Sequence, residues 1–156
     1  MFCSWVEEIL HSARLSVLVK GKAVGFFGCV RGVRQGDPLS PLLFCIAEEV
    51  LSRTITLACD MGTLRPMSYC RGVQLPTHVL YANDVMIFCK ATKSNIRCLL
   101  NIFQQYGEAS GQLINKMKSK FYSGNVSASR LGSLSALLGF SRGTIPFSYL
   151  GCPIFQ

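Results

Sequence analysis

The sequence predicts an α+β domain, and three observations support this. Apolar residues recur every three or four positions in the helical segments, and short apolar runs bounded by turn residues lie between them. The length of 156 residues fits one compact domain. We therefore expect a single domain over residues 1–156, with a central hairpin backed by helices.

The first half of the chain should contain two helices and one hairpin. Ser4 suits the N-cap of the first helix and Glu7 the capping-box position. A tight connection at Lys20-Gly21-Lys22 separates two β-prone runs. The predicted elements are a helix over 4–13, strands over 15–19 and 23–27, a basic loop over 28–37 and the clearest helix over 38–59.

The second half repeats the mixture of short strands and helices. Ala82-Asn83-Asp84 forms a turn between two apolar runs, and Ser127 suits the N-cap of the last helix. The predicted elements are a loop over 60–76, strands over 77–81 and 85–89, a helix over 93–109, a strand over 117–122, a helix over 127–138 and a strand over 147–150.

Composition limits the classes of protein to which this chain can belong. Hydrophobic residues make up 49% and charged residues 15%, against about 25% charged in an average domain, so the intrinsically disordered class is excluded. No charge-free stretch approaches the roughly 18 residues of a membrane span, and Glu7 with Glu8 argues against a signal peptide. The net charge of +8 favours an anionic partner, most simply nucleic acid. The excess apolar surface indicates a piece of something larger.

The eight cysteines favour buried reduced thiols over a disulfide framework. They form no Cys-x-x-Cys pair and have no histidine at zinc-ligand spacing. Cys45 and Cys89 lie within apolar runs, where a thiol behaves as a small hydrophobic group. We therefore expect a reducing compartment inside the cell, the nucleus or the cytoplasm.

Asp84 is the best-placed metal ligand among the acidic residues. It lies on a tight turn between two strands, which would hold its carboxylate rigidly at a sheet edge, and Mg²⁺ prefers such oxygen ligands. The pattern alone favours the simpler interpretation, because Asn-Asp suits a turn by local hydrogen bonding.

The basic loop over 31–41 is a second candidate. Basic side chains and a glycine precede a helix N-terminus, where free N–H groups favour an anion. Pro38 near the helix start, with Asp37 or Ser40 as a cap, would explain the same loop without a ligand.

Other basic and titratable residues carry weaker signals. Lys116, Lys118 and Lys120 alternate along the predicted strand, as a phosphate-facing stripe or as an ordinary solvated edge. His11 and His78 are solitary and receive no catalytic role.

Four motifs in order resemble reverse transcriptases of non-LTR (LINE-type) retrotransposons, the plant members especially. The resemblance covers nearly the whole chain, and the Gln-Gly-Asp-Pro-Leu-Ser-Pro block is its most specific part. The motifs are Arg34-Gln35-Gly36-Asp37-Pro38-Leu39-Ser40-Pro41, Tyr81-Ala82-Asn83-Asp84, Ser110-Gly111-Gln112-Leu113-Ile114-Asn115 through Lys118-Ser119, and Phe147-Ser148-Tyr149-Leu150-Gly151-Cys152-Pro153.

The resemblance implies a polymerase palm, an antiparallel sheet that carries the Tyr-Ala-Asn-Asp hairpin and packs against helices. Its chemistry is templated addition of deoxynucleotides to an RNA or DNA primer–template, with a pair of Mg²⁺ or Mn²⁺ ions. By similarity, Arg34, Gln35 and Gly36 would lie against the incoming nucleotide and template. Tyr81 and Ala82 would border the primer terminus. Asn83 and Asp84 occupy the two carboxylate positions, and Lys118 matches a proposed general acid for pyrophosphate.

The departures from the family pattern concern the metal ligands. The family hairpin is Tyr-x-Asp-Asp, so Asn83 replaces one carboxylate by a neutral amide. A further family aspartate lies upstream of the segment that aligns here, which leaves Asp84 as the remaining carboxylate. We expect no productive metal pair, because two divalent ions need more than one anionic ligand.

Three hypotheses about function follow. The first is a truncated, degenerate reverse-transcriptase palm without independent polymerase activity. The second is a basic nucleic-acid-binding module that has lost the chemistry. The third is a retrotransposon remnant without function that does not fold.

Overall fold

The computed structural model describes residues 1–30, 32–67, 75–124 and 126–155, and within them it confirms the α+β class. It divides into two compact units, Met1–Glu48 and Glu49–Gln156. No helix in the described ranges is long and apolar enough to cross a membrane. The elements are α1 (Phe2–His11), β1 (Arg14–Val19), β2 (Lys22–Gly28), α2 (Ser40–Asp60), β3 (His78–Tyr81), β4 (Asp84–Ile87), α3 (Lys93–Ser110), β5 (Lys120–Phe121), α4 (Ala128–Leu138), β6 (Ser141–Arg142), β7 (Phe147–Tyr149) and β8 (Cys152–Ile154).

The first unit contains α1, the β1–β2 hairpin and the start of α2. The hairpin is antiparallel, and Lys20 and Gly21 form its two-residue turn as predicted. The prediction that Ser4 caps α1 is wrong, because the helix begins at Phe2 and its N-cap position is Met1, whose side chain makes no capping hydrogen bond. Helix α2 begins at Ser40, two residues later than predicted.

The apolar residues of this first unit stay largely exposed. Every residue of β1 and β2 is exposed, on both faces of the hairpin. Ala13 is the buried hydrophobic residue among those described in this unit. Phe26 keeps 78% of its surface and Leu18 keeps 74%. A two-stranded hairpin without a covered face is marginally stable in water, so this unit contributes little core to the chain.

The hydrophobic core lies in the second unit. Helices α2 and α3 bury Leu51, Ile55 and Leu99, and the β3–β4 hairpin packs onto them through Leu80 and Ile87. A smaller cluster joins α3 to α4 and consists of the buried residues Ile96, Leu134 and Leu138. The buried residues Ile96, Leu99 and Ile102 of α3 recur at three-residue spacing, as expected for the buried face of an amphipathic helix.

Asn95 is the fully buried polar residue that ties the second unit together. Its Oδ1 accepts a hydrogen bond from the Arg65 N–H at 3.0 Å, and its Nδ2 donates to the Arg65 carbonyl at 2.7 Å and the Lys90 carbonyl at 2.9 Å. The Lys90 N–H also donates to the Arg65 carbonyl at 3.0 Å. Asn95 lies in the first turn of α3 and thus joins the segment after α2 to the segment after β4.

The predicted strand over 117–122 shrinks to two residues. The side chain of Asn115 accepts hydrogen bonds from the N–H groups of Met117 and Lys118 at 3.1 and 3.2 Å, which curls the chain into a turn. Lys116 and Lys118 lie in that turn, and Lys120 begins β5. The prediction of a lysine stripe on one strand face is therefore wrong. Strand β5 pairs in parallel with β6, a strand that the sequence did not predict.

The described cysteines are free thiols, but they are not uniformly buried. Cys89 fits the prediction, since burial raises the pKa of its thiol to about 11, with a hydrogen bond to Asn95 opposing that rise. Cys45 was predicted to be buried, but it is exposed on α2. Cys3 and Cys152, on other elements, are exposed as well. Cys70 lies outside the described residues, as do residues 68–74 of the predicted loop over 60–76.

Candidate functional site

The β3–β4 hairpin holds four of the sequence-predicted site residues at its tip. Tyr81 ends β3, Ala82 and Asn83 form the turn, and Asp84 begins β4. Tyr81 pairs with Asp84 across the hairpin, and the ladder continues through Leu80 with Val85. Thus the structure brings these four residues together as predicted.

Strand alternation sets the direction of the candidate metal ligand. Paired residues of an antiparallel ladder share a face, and successive residues alternate between faces. Leu80 and Ile87 lie on the face that packs onto the core, so Tyr81 and Asp84 lie on the opposite face. Asp84 is exposed there, and Tyr81 keeps 61% of its surface.

The turn itself carries backbone strain. Ala82 adopts a φ of +48°, in the left-handed region that costs a residue with a Cβ about 1 kcal/mol. The turn is held against this cost because both flanking strands are paired and one face of the hairpin packs on the core. The position of Asp84 is therefore determined by the hairpin and not by a hydrogen bond of its own side chain.

Tyr149, on β7, is a neighbour of Asp84 that the sequence reasoning did not assign to the site. Burial raises the pKa of its phenol, and the negative charge of Asp84 raises it further. Its Oη is buried without a hydrogen-bond partner among the described residues. Tyr149 belongs to the fourth motif of the resemblance, which was the available signal for it. A neutral phenol thus lies in the field of the single carboxylate.

The donor set at the hairpin does not fit a pair of divalent ions. Asp84 supplies the one carboxylate of this turn, and Asn83 supplies a neutral amide oxygen. Across the described ranges, no three His, Cys, Asp or Glu side chains group closely enough to hold a metal ion. Two ions near 4 Å apart repel each other strongly unless several anionic oxygens lie between and around them. We therefore derive no metal-dependent step from these residues.

The loop before α2 holds Arg34, Gln35 and Gly36 in the first unit. The Arg34 guanidinium pairs with the Asp37 carboxylate at 3.0 Å, and the Ser40 hydroxyl donates to the Arg34 carbonyl at 2.6 Å. Asp37 Oδ1 accepts from the Leu39 N–H at 2.9 Å, which caps the turn into α2. The loop is thus closed by its own side chains, as the interpretation without a ligand requires.

Gln35 and Gly36 are exposed, whereas Arg34 is half-buried. Gly36 has a φ of +86°, which an L side chain rarely adopts, so this position suits glycine for conformational reasons alone. The cavity beside the loop, lined by Arg34, Asp37 and Ser40 among others, measures about 10 Å³ and has room for about one water molecule. A nucleotide here would have to bind on the exposed surface of Gln35 and Gly36.

Lys118 and His78 complete the positions that the sequence singled out. Lys118 is exposed in the turn after Asn115, and in the described part of the chain no hydrogen bond or ion pair joins it to Asp84. His78 lies 2.8 Å from the Ser52 hydroxyl through Nε2 and 2.9 Å from the Thr77 hydroxyl through Nδ1. Burial lowers the pKa of the His78 imidazole, and the charge of Glu49 opposes that effect.

Comparison with known proteins covers almost the entire chain. The sequence model of a family described as "Reverse transcriptase (RNA-dependent DNA polymerase)" matches residues 1–154. An uncharacterized mitochondrial protein of Arabidopsis thaliana is 37% identical over 70 residues, which are 45% of this chain and 57% of that protein. The aligned segment therefore spans a little more than half of that relative's length.

Proposed function

The chain belongs to the reverse transcriptase (RNA-dependent DNA polymerase) family, whose sequence model matches residues 1–154, and we propose that the chain is a catalytically silent fragment. The fragment comprises one partial palm domain of the non-LTR, LINE-type class, from a plant retrotransposon. In this proposal Arg34, Gln35, Gly36, Tyr81 and Ala82 retain the positions that contact nucleotide, template and primer in the family. Asp84 and Lys118 retain the catalytic positions.

The single carboxylate at the tip of the β3–β4 hairpin supports this proposal. Asp84 is rigidly placed and exposed, so geometry would allow it to act as a ligand. Its neighbour Asn83 offers no charge, and burial together with the charge of Asp84 raises the pKa of the Tyr149 phenol, which opposes its ionisation. The attraction that holds two divalent ions together grows with the number of anionic ligands. One carboxylate is too few for Mg²⁺ or Mn²⁺ to serve as a productive pair.

Primer extension tests the proposal directly. The full chain should incorporate no deoxythymidine on a poly(rA)/oligo(dT) template, with either Mg²⁺ or Mn²⁺, above the level of an Asp84→Ala variant. Incorporation by the wild-type chain above the Asp84→Ala control would refute the proposal.

A second candidate function is nucleic-acid binding without chemistry, and charge distribution favours it. The net charge is +8, and residues 109–156 contain five cations and no Asp or Glu. The cations are Lys116, Lys118, Lys120, Arg130 and Arg142. A positive surface of this kind attracts phosphate backbones independently of sequence.

Salt dependence measures this second function. A labelled primer–template should bind the chain at low salt, and the observed association constant should fall linearly with salt on a double logarithmic plot. Fluorescence anisotropy at about 50 and about 200 mM salt provides the two points that are needed. Absence of binding at the lower concentration would count against this function.

The described cysteines also bear on the cellular compartment of the fragment. All seven are free thiols, and Cys89 is largely buried with a pKa raised to about 11. A thiol with a raised pKa is slow to react as a thiolate. These observations support our proposal of a reducing compartment, the nucleus or the cytoplasm.

A further inference from the structure

The second unit contains a cleft that the family motifs leave unassigned. It measures about 330 Å³ and is lined by Ser123, Arg142, Gly143, Thr144 and Ile145. The cleft lies where the chain leaves β5 and β6, and it contains neither Asp84 nor the turn of Lys118.

Ser123 contributes a polar group that the fold does not satisfy. Its Oγ is buried and has no hydrogen-bond partner in the described part of the chain. Leaving a buried hydroxyl unpaired is unfavourable, and most buried hydroxyls in folded proteins have a hydrogen-bond partner. An acceptor oxygen of a ligand in this cleft would provide the missing partner.

The charges around the cleft favour an anion. Arg142 is exposed, and no ion pair of its guanidinium is found within the described ranges. The whole stretch from residue 109 to residue 156 lacks acidic side chains, so no neighbour on these elements competes for the guanidinium. Thr144 adds a second hydroxyl to the lining. Guanidinium and hydroxyl donors together are a typical set for phosphate oxygens.

Gly143 keeps the wall of the cleft in place. Its N–H donates to the Phe121 carbonyl at 2.9 Å, which extends the β5–β6 ladder by one bond. The ring of Tyr122 packs where a Cβ at position 143 would lie, and it stacks on Phe147 with ring centroids 3.8 Å apart. The lining residues on both sides of Gly143 therefore have a rigid support.

We propose that this cleft seats a backbone phosphate of a nucleic-acid strand, with Arg142 as the charged contact and Ser123 as a hydroxyl donor. The proposal rests on the nucleic-acid-binding function proposed above and adds to it a localised site. A localised site differs from a diffuse basic surface, because on a diffuse surface each of the five cations in residues 109–156 would contribute equally to binding.

Anisotropy of a fluorescein-labelled poly(rA)/oligo(dT) primer–template with the full chain tests the site. Arg142→Gln should weaken binding about three- to tenfold and reduce the magnitude of the salt slope by about 1. The matched control is Arg130→Gln, since Arg130 is an exposed cation of α4 that does not line the cleft. Because Arg130 is one charge of the diffuse basic surface, Arg130→Gln should still weaken binding, but by no more than about twofold.

Ser123→Ala separates a binding role from a structural role. It should weaken binding while leaving the melting temperature unchanged or higher, because it removes a buried hydroxyl that has no partner. A lower melting temperature would contradict the assignment, since it would show that the hydroxyl already stabilises the fold.

The outcomes distinguish the two proposals. Equal losses for Arg142→Gln and Arg130→Gln would overturn the cleft site and leave nucleic-acid binding intact. Failure of the wild-type chain to bind at low salt would overturn both.

Discussion

Asn95→Ala should lower the free energy of unfolding by about 3 kcal/mol. The substitution removes the hydrogen bonds to the Arg65 N–H and to the carbonyls of Arg65 and Lys90, at 2.7–3.0 Å. Each such bond contributes about 1 kcal/mol, and a backbone group left without a partner adds to the loss. Asn95 has no exposed surface, so water cannot readily replace the amide. Urea unfolding followed by circular dichroism would measure the difference.

Two variants identify the cause of that loss. Asn101→Ala alters an exposed asparagine of the same helix, α3, and should change stability by no more than about 0.5 kcal/mol. Asn95→Asp keeps nearly the same volume but places a carboxylate oxygen against two carbonyl oxygens. It should destabilise at least as much as alanine, because it also buries a charge. A loss below about 1 kcal/mol for Asn95→Ala would show that the segments are held by other contacts.

Gly143→Ala is expected to destabilise the chain by about 2 kcal/mol. A Cβ at this position would lie 2.6 Å from Cζ and 2.8 Å from Cδ1 of Tyr122, and closer still to Cε1. The ring has little freedom to move away, since it stacks on Phe147 at an interplanar angle of 16°. Overpacking of this kind typically costs about 1–3 kcal/mol. A thermal melt should show a midpoint several degrees lower.

The control for this prediction changes stability in the opposite direction. Gly132→Ala adds the same methyl group in the interior of α4, where nothing lies within 4 Å of the new Cβ. It should stabilise the chain by up to about 1 kcal/mol through helix propensity. Tyr122→Ala in the Gly143→Ala background should remove the added cost of the methyl group. If Gly143→Ala melts at the wild-type temperature, the packing of Tyr122 against this glycine is not as described.

Much of the second unit was predictable because its elements are amphipathic or bounded by turn residues. Helix α3 begins and ends within one residue of the predicted range, and the β3–β4 hairpin forms around the predicted turn. The predicted strand over 117–122 failed because its alternating lysines resemble a strand, while Asn115 captures the local N–H groups. Side-chain competition of this kind leaves no periodic trace in the sequence.

The candidate site was predicted unevenly. The four residues of the hairpin tip come together because a two-residue turn makes them neighbours in any case. The effect of Asp84 on Tyr149 was not predicted, because it depends on contact between residues that lie 65 positions apart in the sequence. The Arg34–Asp37 ion pair was also not predicted, and it makes the loop before α2 self-contained.

Order and spacing of residues alone determined the family and the α+β class, since these depend on local patterns and on residue identity. Packing between distant segments decided which polar groups are satisfied. The Asn95 amide found three backbone partners, whereas the hydroxyls of Ser123 and Tyr149 have none among the described residues. Hydrogen bonding depends on atoms meeting within about 3 Å, and only the folded chain brings residues 30 or more positions apart that close.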